Sequence, residues 1–162
     1  MSLLETQNFL AHVYTDENLR REFLNAPEKI GGENNLSAAE ISEILEIFPD
    51  EINAFAESLI WKRLREVEKL LPLTRRHLNS KLETHFRRFA STFNSQSIKK
   101  HLEDALRFGD YLLINKTVSE LAKNAAKLEC AKLEFYAQNK NIVIRLFTFD
   151  IQTEKRKKHV GI

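Results

Sequence analysis

Two charged residues fall on the apolar faces of strong helical patterns, where a charge could do chemistry or hold helices together. At about 100° per residue, Arg63 lies between Leu59 and Val67 on the apolar stripe of the stretch 50–74. Glu129 lies on the apolar stripe of the last long helical pattern. Because an unpaired buried charge is strongly unfavourable, we predict a buried ion pair between Arg63 and Glu129.

Catalysis by Glu129 would need a second carboxylate or a metal ion nearby, and the sequence places neither at a suitable spacing. The five histidines form no HExxH motif and no close ligand pair, which favours surface or edge positions for His12, His77, His85, His101 and His159. Cys130 points away from the apolar stripe of its helix and is expected on the solvent side or at an interface. The sequence therefore predicts no catalytic residue, no metal site and no cofactor.

Charge is distributed unevenly along the chain. Residues 1–61 carry a net charge of −9, residues 62–100 carry +8 and residues 101–162 carry +3, which leaves +2 for the whole chain. The basic stretch contains seven candidates for binding an anion or a peptide: Arg75, Arg76, Lys81, Arg87, Arg88, Lys99 and Lys100. Two interpretations remain open. The basic stretch binds nucleic acid or an acidic peptide, or it is a solvated face whose charge is balanced by the acidic part of the same fold.

The elements that must position these residues are helical. Four glycines and three prolines in 162 residues are typical of helices joined by short turns. We predict an all-α fold of six or seven helices in a bundle with a single C-terminal β-strand or short hairpin. Residues 1–71 form an acidic helical part in this prediction, residues 72–138 a basic helical part, and residues 139–162 a strand and basic tail, all within one compact domain.

Local signals set the predicted element boundaries in the first half. Thr15 is predicted to cap a helix over residues 16–25. Proline and paired glycines predict a loop over residues 26–36. Ser37 and Glu40 have the spacing of a capping box at the start of the next helix.

The second half carries three further signals. Pro72 ends the central helix. Asn79 indicates a turn between a short and a longer helix, and Gly109 indicates a close approach of two backbones or an early helix end.

The residue pattern changes period after residue 141. Residues 142–151, IVIRLFTFDI, are rich in β-branched and aromatic residues and predict a strand whose interface residues are Val143, Phe147 and Phe149. The sequence shows no second strand of similar quality. We therefore expect pairing between chains, either in a homodimer or with a partner that adds a strand. The alternative is that residues 132–137 supply a hairpin arm.

The compartment can also be inferred. Cys130 is the only cysteine, which excludes an intrachain disulfide and is typical of a reducing environment. No apolar stretch approaches the length of a membrane span, and the N-terminus lacks the pattern of a signal peptide. We expect a cytoplasmic protein that does not bind membranes.

Residues 14–45 carry a recognisable order of motifs. An Arg-x-x-Phe-Leu motif at Arg20, Phe23 and Leu24 is followed by Pro27 and by Leu-Ser-x-x-Glu at the start of the next helix. This order resembles the small all-helical domain typified by the alpha subunit of protocatechuate extradiol dioxygenases. The resemblance implies a domain that acts as a partner or lid, is not itself catalytic, and recurs in proteins that serve modified-peptide biosynthesis.

Residues 101–113 and 118–135 carry a second resemblance. With the strand that follows, they are similar to the helical companion proteins of multinuclear iron peptide oxidases, a family once labelled as DNA-binding. The shared run consists of Leu121, Ala122, Ala125, Leu128 and Glu129. The resemblance implies a protein that binds the oxidase and helps to present its precursor peptide.

The function predicted from these observations is that of a non-catalytic accessory protein. It would bind a partner protein or peptide, in the modification of a peptide natural product. The alternative is a nucleic-acid-binding helical protein that uses residues 62–100 and the basic C-terminal tail. Salt dependence separates the two, because affinity for nucleic acid falls steeply with salt.

Overall fold

The chain is predominantly helical in the computed structural model, which describes residues 3–46, 49–95, 97–137, 145–147 and 159–161. The helices are α1 Leu3–Thr15, α2 Glu17–Asn25, α3 Pro27–Glu33, α4 Ala38–Leu45, α5 Pro49–Leu70, α6 Pro72–Leu78, α7 Leu82–Ala90, α8 Lys100–Ile114 and α9 Glu120–Ala137. A short 3-10 helix, Asn79–Lys81, joins α6 to α7. The predicted helical class is confirmed. No helix in the described ranges is long and apolar enough to cross a membrane.

The chain divides into two compact units, and the boundary lies inside α5. The N-terminal unit is Met1–Trp61 and the C-terminal unit is Lys62–Ile162. The boundary falls before the predicted one at residue 71 and coincides with the change in charge. The N-terminal unit has twelve acidic and three basic residues, a net charge of −9, whereas the C-terminal unit has a net charge of +11.

The core of the N-terminal unit is built from α1 to α4 and the start of α5. Its buried residues are Phe9, Val13, Phe23, Ile30, Leu36, Ile41, Ile44 and Ile52. Helix α2 is capped by Asp16, whose carboxylate accepts from the backbone N–H groups of Asn18 and Leu19. The predicted cap at Thr15 is wrong, because the Thr15 hydroxyl donates instead to the carbonyl oxygen of Ala11, one turn back in α1.

Residues 26–36 are not the predicted loop. Helix α3 forms within them, because Pro27 stands in its first turn, where a missing N–H costs nothing. Asn34 caps the end of the helix, and Asn35, which follows it, has a positive φ of 62°. The backbone N–H of Asn35 donates to Gly32, and that of Leu36 donates to Gly31, which satisfies two carbonyl groups at the helix end. The predicted capping box of α4 is confirmed: Ser37 and Glu40 exchange both hydrogen bonds.

The C-terminal unit packs α8 and α6 against α9. Its core holds an aromatic cluster in which Phe86, Phe89 and Phe108 have ring centroids 5.3 to 5.7 Å apart. The predicted turn at Asn79 is confirmed, since this residue ends α6 with a positive φ of 48°.

Helices α8 and α9 approach closely at Gly109, as its position in the sequence predicts. A Cβ atom at Gly109 would overlap Sγ of Cys130. Sγ also lies 3.8 Å from the carbonyl oxygen of Ala105, and Cys130 is half-buried. Cys130 is therefore packed at the interface between α8 and α9, and it does not lie on the solvent side, the first of its two predicted positions.

Two short strands are described near the C-terminus. Strand β1, Arg145–Phe147, pairs antiparallel with β2, His159–Gly161. Strand β1 lies within the predicted strand 142–151, of which residues 142–144 and 148–151, including Val143 and Phe149, lie outside the described residues. Residues 132–137 belong to α9, so the alternative in which they supply a hairpin arm is wrong.

Candidate functional site

Arg63 of α5 forms a bidentate ion pair with Asp104 of α8. Its Nε donates to Oδ2 over 3.0 Å and its Nη2 donates to Oδ1 over 2.8 Å. Nη2 also donates to the carbonyl oxygen of Phe93 over 2.9 Å, and the guanidinium carbon lies 5.8 Å from the centre of the Phe86 ring. The Asp104 side chain is 2% exposed and the Arg63 side chain 17% exposed, so the pair is largely removed from water.

The predicted ion pair between Arg63 and Glu129 is therefore wrong. Both side chains are largely buried, as predicted, but they bind other partners. The partner that the prediction missed is Asp104. The sequence did carry a signal for it, because Asp104 stands four residues before Phe108 and eight before Leu112. Both of those residues are fully buried, so Asp104 shares the buried face of α8.

Glu129 of α9 caps the start of α6. Its Oε1 accepts from the backbone N–H of Leu73 over 2.7 Å, and its Oε2 accepts from the backbone N–H of Thr74 over 2.9 Å and from the Thr74 hydroxyl over 2.7 Å. The cap position of α6 is Leu71, which has no side chain that can accept a hydrogen bond. The carboxylate of a distant helix takes that role and places a negative charge at the positive end of α6.

These buried polar groups are used to hold helices together. Both carboxylate oxygens of Asp104 accept from Arg63, and both carboxylate oxygens of Glu129 accept from the start of α6. Within the described residues, no group of three or more histidine, cysteine, aspartate or glutamate side chains could hold a metal ion.

The seven predicted anion-binding residues lie on α6, the 3-10 helix, α7 and the start of α8. Arg87 is half-buried. The other six have exposed side chains: Arg75, Arg76, Lys81, Arg88, Lys99 and Lys100. Two of the seven are paired, since Arg75 lies 3.4 Å from Glu68 and Arg87 lies 2.8 Å from Glu83. Lys81 and Arg88 form no ion pair with any residue in the described part of the chain.

His85 of α7 is buried, so the first of its two predicted positions, on the surface, is wrong. The residue is 5% exposed, and its ring meets that of Tyr111 edge-on at 6.4 Å between centroids. Its Nδ1 is buried and has no hydrogen-bond partner among the described residues. Burial lowers the pKa of His85 below its ordinary value of 6.5, and the positive charges of Arg88 and Lys81 lower it further.

Sequence reasoning missed the burial of His85 because the histidines were judged by the absence of a metal-ligand motif and not by their position on the helix face. A signal was present, since His85 stands three residues after Leu82 and four before Phe89, both of which are buried. The structure thus brings together a buried histidine and two of the predicted cations.

Comparisons with known proteins give no further identification. No protein-family model, curated protein or solved structure matches this chain.

Proposed function

We propose that this chain is a non-catalytic accessory protein that binds an acidic partner protein or peptide through the cations of its C-terminal unit. The observation that carries the proposal is the placement of six exposed cations on consecutive elements from α6 to the start of α8. They belong to a unit with a net charge of +11. A surface of this kind attracts an acidic partner and orients it during association.

The use of the buried polar groups supports a binding role over a catalytic one. A catalytic carboxylate needs a free oxygen that can reach a substrate. The oxygens of Asp104 and Glu129 are instead engaged by Arg63 and by the start of α6. These two carboxylates therefore stabilise the fold.

The resemblances noted in the sequence support a more specific form of the proposal. In it, the partner is an oxidase or the precursor peptide of a modified natural product. The two stretches that carry the resemblances fall one in each unit, residues 14–45 in the N-terminal unit and residues 101–135 in the C-terminal unit.

Binding to nucleic acid is the second candidate function, and the exposed cations also favour it. The ion pairs of Arg75 and Arg87 count against it, because a phosphate backbone is bound by many unpaired cations acting together. A short acidic peptide segment is bound by fewer unpaired cations, so the ion pairs count less against a peptide partner.

The test begins with the products of the neighbouring genes. Each is purified and its affinity for the full chain is measured by calorimetry. The double variant Arg76→Glu with Arg88→Glu should weaken binding to the true partner at least tenfold. The matched control is Arg107→Glu with Lys116→Glu, which reverses two exposed charges of the same unit outside residues 62–100.

Two results would overturn the proposal. The first is equal weakening by the two double variants, which would show that the segment has no special role. The second is nanomolar binding to one defined DNA or RNA, with an affinity that falls steeply as salt is added.

The C-terminal strand gives a separate proposal about assembly. Strand β1 already pairs with β2 along one edge, and we propose that the other edge of strand 142–151 contributes to association, in a homodimer or with a partner that adds a strand. Mass measurement by light scattering, on the full chain and on a chain lacking residues 142–162, tests it. A full chain that remains monomeric at all concentrations rules out the homodimer.

A further inference from the structure

The surroundings of His85 suggest what part of an acidic partner this surface recognises. Lys81 precedes His85 by four residues and Arg88 follows it by three. This spacing places the three side chains on one face of α7 and its 3-10 extension. The two cations are exposed, whereas the histidine between them is buried.

His85 has one ring nitrogen available to a ligand. Nδ1 is fully buried and has no hydrogen-bond partner in the described part of the chain. Nε2 is not both fully buried and without a partner. Since His85 makes no hydrogen bond with a described residue, Nε2 retains some exposure to solvent and is the ring nitrogen open to a ligand. A carboxylate that accepts from Nε2–H would form a charge-assisted hydrogen bond, which is stronger than a bond between neutral groups.

We propose that Lys81, His85 and Arg88 form a binding site for a carboxylate of an acidic peptide segment, and that binding is accompanied by protonation of His85. This inference rests on the proposed function, because it takes the ligand to be part of the partner. The three residues span about 10 Å of helix, at about 1.5 Å per residue. That length suits one or two carboxylates and is short for a nucleic-acid backbone.

Proton uptake follows from the charges around His85. The groups that act on it are Lys81 of the 3-10 helix and Arg88 of α7, both positive, while Tyr111 is the titratable group of α8 against its ring. In the free protein burial, followed by the charges of Arg88 and Lys81, lowers the pKa of His85 and keeps the imidazole neutral near pH 7. A bound carboxylate offsets the two positive charges and favours the imidazolium, which raises the pKa of His85.

Affinity should therefore increase as the pH falls. The probe is a synthetic hexa-aspartate peptide, whose carboxylates stay largely ionised above about pH 5. Calorimetry with the full chain should show binding several-fold tighter at about pH 5.5 than at about pH 8, because a rise of about one unit in the pKa of His85 strengthens binding by at most tenfold. NMR of the histidine rings should show the pKa of His85 rising when the peptide is added.

Variants separate the roles of the three residues. Lys81→Gln with Arg88→Gln should weaken peptide binding at least tenfold, whereas the control Arg107→Gln with Lys116→Gln should change it less than twofold. His85→Gln should bind with an affinity that no longer depends on pH. If His85→Gln fails to fold, as judged by circular dichroism, the NMR titration of the wild-type chain decides the question.

Three outcomes would overturn the site. In the first, both double variants weaken binding equally, which indicates general attraction to a positive unit. In the second, the pKa of His85 does not move when the peptide binds. In the third, inorganic phosphate raises the pKa of His85 and the peptide does not, which assigns the site to phosphoryl groups.

Failure of the site is distinguishable from failure of the proposed function. If a neighbouring gene product binds the full chain and Lys81→Gln with Arg88→Gln binds it equally well, the proposed function stands and the site fails. If the peptide shows the expected pattern and no gene product binds, the site stands and the proposed function fails.

Discussion

Single side chains in this protein complete the hydrogen bonds of backbone groups on other elements. Arg20 of α2 donates to the carbonyl oxygens of Val13 and Tyr14 at the end of α1. Arg63 donates to the carbonyl oxygen of Phe93, and Glu129 accepts from the backbone N–H of Leu73 at the start of α6. An unsatisfied buried backbone group costs about 1 to 3 kcal/mol, so these side chains stabilise the elements whose backbone groups they satisfy.

Removal of Asp104 should have a large effect on stability. Asp104→Ala should lower the free energy of unfolding by about 3 kcal/mol, because it leaves Arg63 largely buried without its partner. Arg63→Met with Asp104→Leu should recover most of that loss, since an apolar pair then replaces the ion pair. Urea denaturation measures both.

The control for this prediction is an exposed ion pair. Lys69 and Glu66 lie 2.7 Å apart on α5, and the Lys69 side chain is 69% exposed. Lys69→Ala should change the free energy of unfolding by less than about 1 kcal/mol. An Asp104→Ala chain as stable as this control would show that the buried pair contributes little.

Glu40 should make the stability of the chain depend on acidity. Hydrogen bonds from the Ser37 hydroxyl and backbone, and from the Thr6 hydroxyl, lower its pKa from 4.5 to about 2. Since the folded state has the lower pKa, Glu40 stabilises the fold above pH 4.5, and this contribution is lost as the pH falls from 4.5 toward 2.

The prediction for Glu40 is tested by urea midpoints measured from about pH 5 to about pH 2.5. Glu40→Gln should remove part of the decline in stability, whereas Glu43→Gln, at an exposed position of the same helix, should leave it unchanged. Identical pH profiles for the wild-type chain and Glu40→Gln would refute this assignment.

At the scale of elements, the sequence predicted several features that depend on local chemistry and missed those that depend on distant partners, although the cap at Thr15 shows that local signals also fail. The capping box at Ser37, the turn at Asn79 and the close approach at Gly109 were predicted from neighbouring residues. The partners of Arg63 and Glu129 were not, because helix periodicity shows which face is buried but not which helix covers it. Helix α3 was missed because Pro27 can begin a helix as well as interrupt one.

The contact between α8 and α9 depends on the absence of a side chain at residue 109. Gly109→Ala should lower the free energy of unfolding by about 1 to 3 kcal/mol, because the added methyl group overlaps Sγ of Cys130. In a Cys130→Ala background the same change should cost far less. It could even stabilise the chain, since alanine exceeds glycine in helix preference by about 1 kcal/mol.

Thermal and urea unfolding of the four chains completes this cycle. The wild-type chain, the two single variants and the double variant give the coupling between residues 109 and 130. A coupling near zero would show that the two helices can separate slightly without cost.

At the scale of the whole molecule, the N-terminal unit is acidic and the C-terminal unit is basic. The net charge of +2 conceals −9 in the N-terminal unit and +11 in the C-terminal unit. The change occurs within α5, a continuous helix of 22 residues. The C-terminal unit therefore attracts a partner with an acidic surface, and the N-terminal unit repels it.

The same charge distribution sets an upper limit on nucleic-acid binding. We expect only weak, sequence-independent binding, with a Kd of about 10⁻⁵ M or weaker at physiological salt, because acidic residues offset much of the attraction. Fluorescence anisotropy with short DNA and RNA duplexes of unrelated sequence tests this. Tight binding to one sequence alone would contradict it.

The carboxylate of Glu129 at the start of α6 has a consequence for protein synthesis. Thr74 and Glu129 are 55 residues apart in the chain, so the ribosome makes α6 well before its cap exists. A helix of seven residues is not stable by itself in water. The nascent C-terminal unit should therefore stay incomplete until α9 has left the exit tunnel, with the amides of Leu73 and Thr74 open to hydrogen exchange until then.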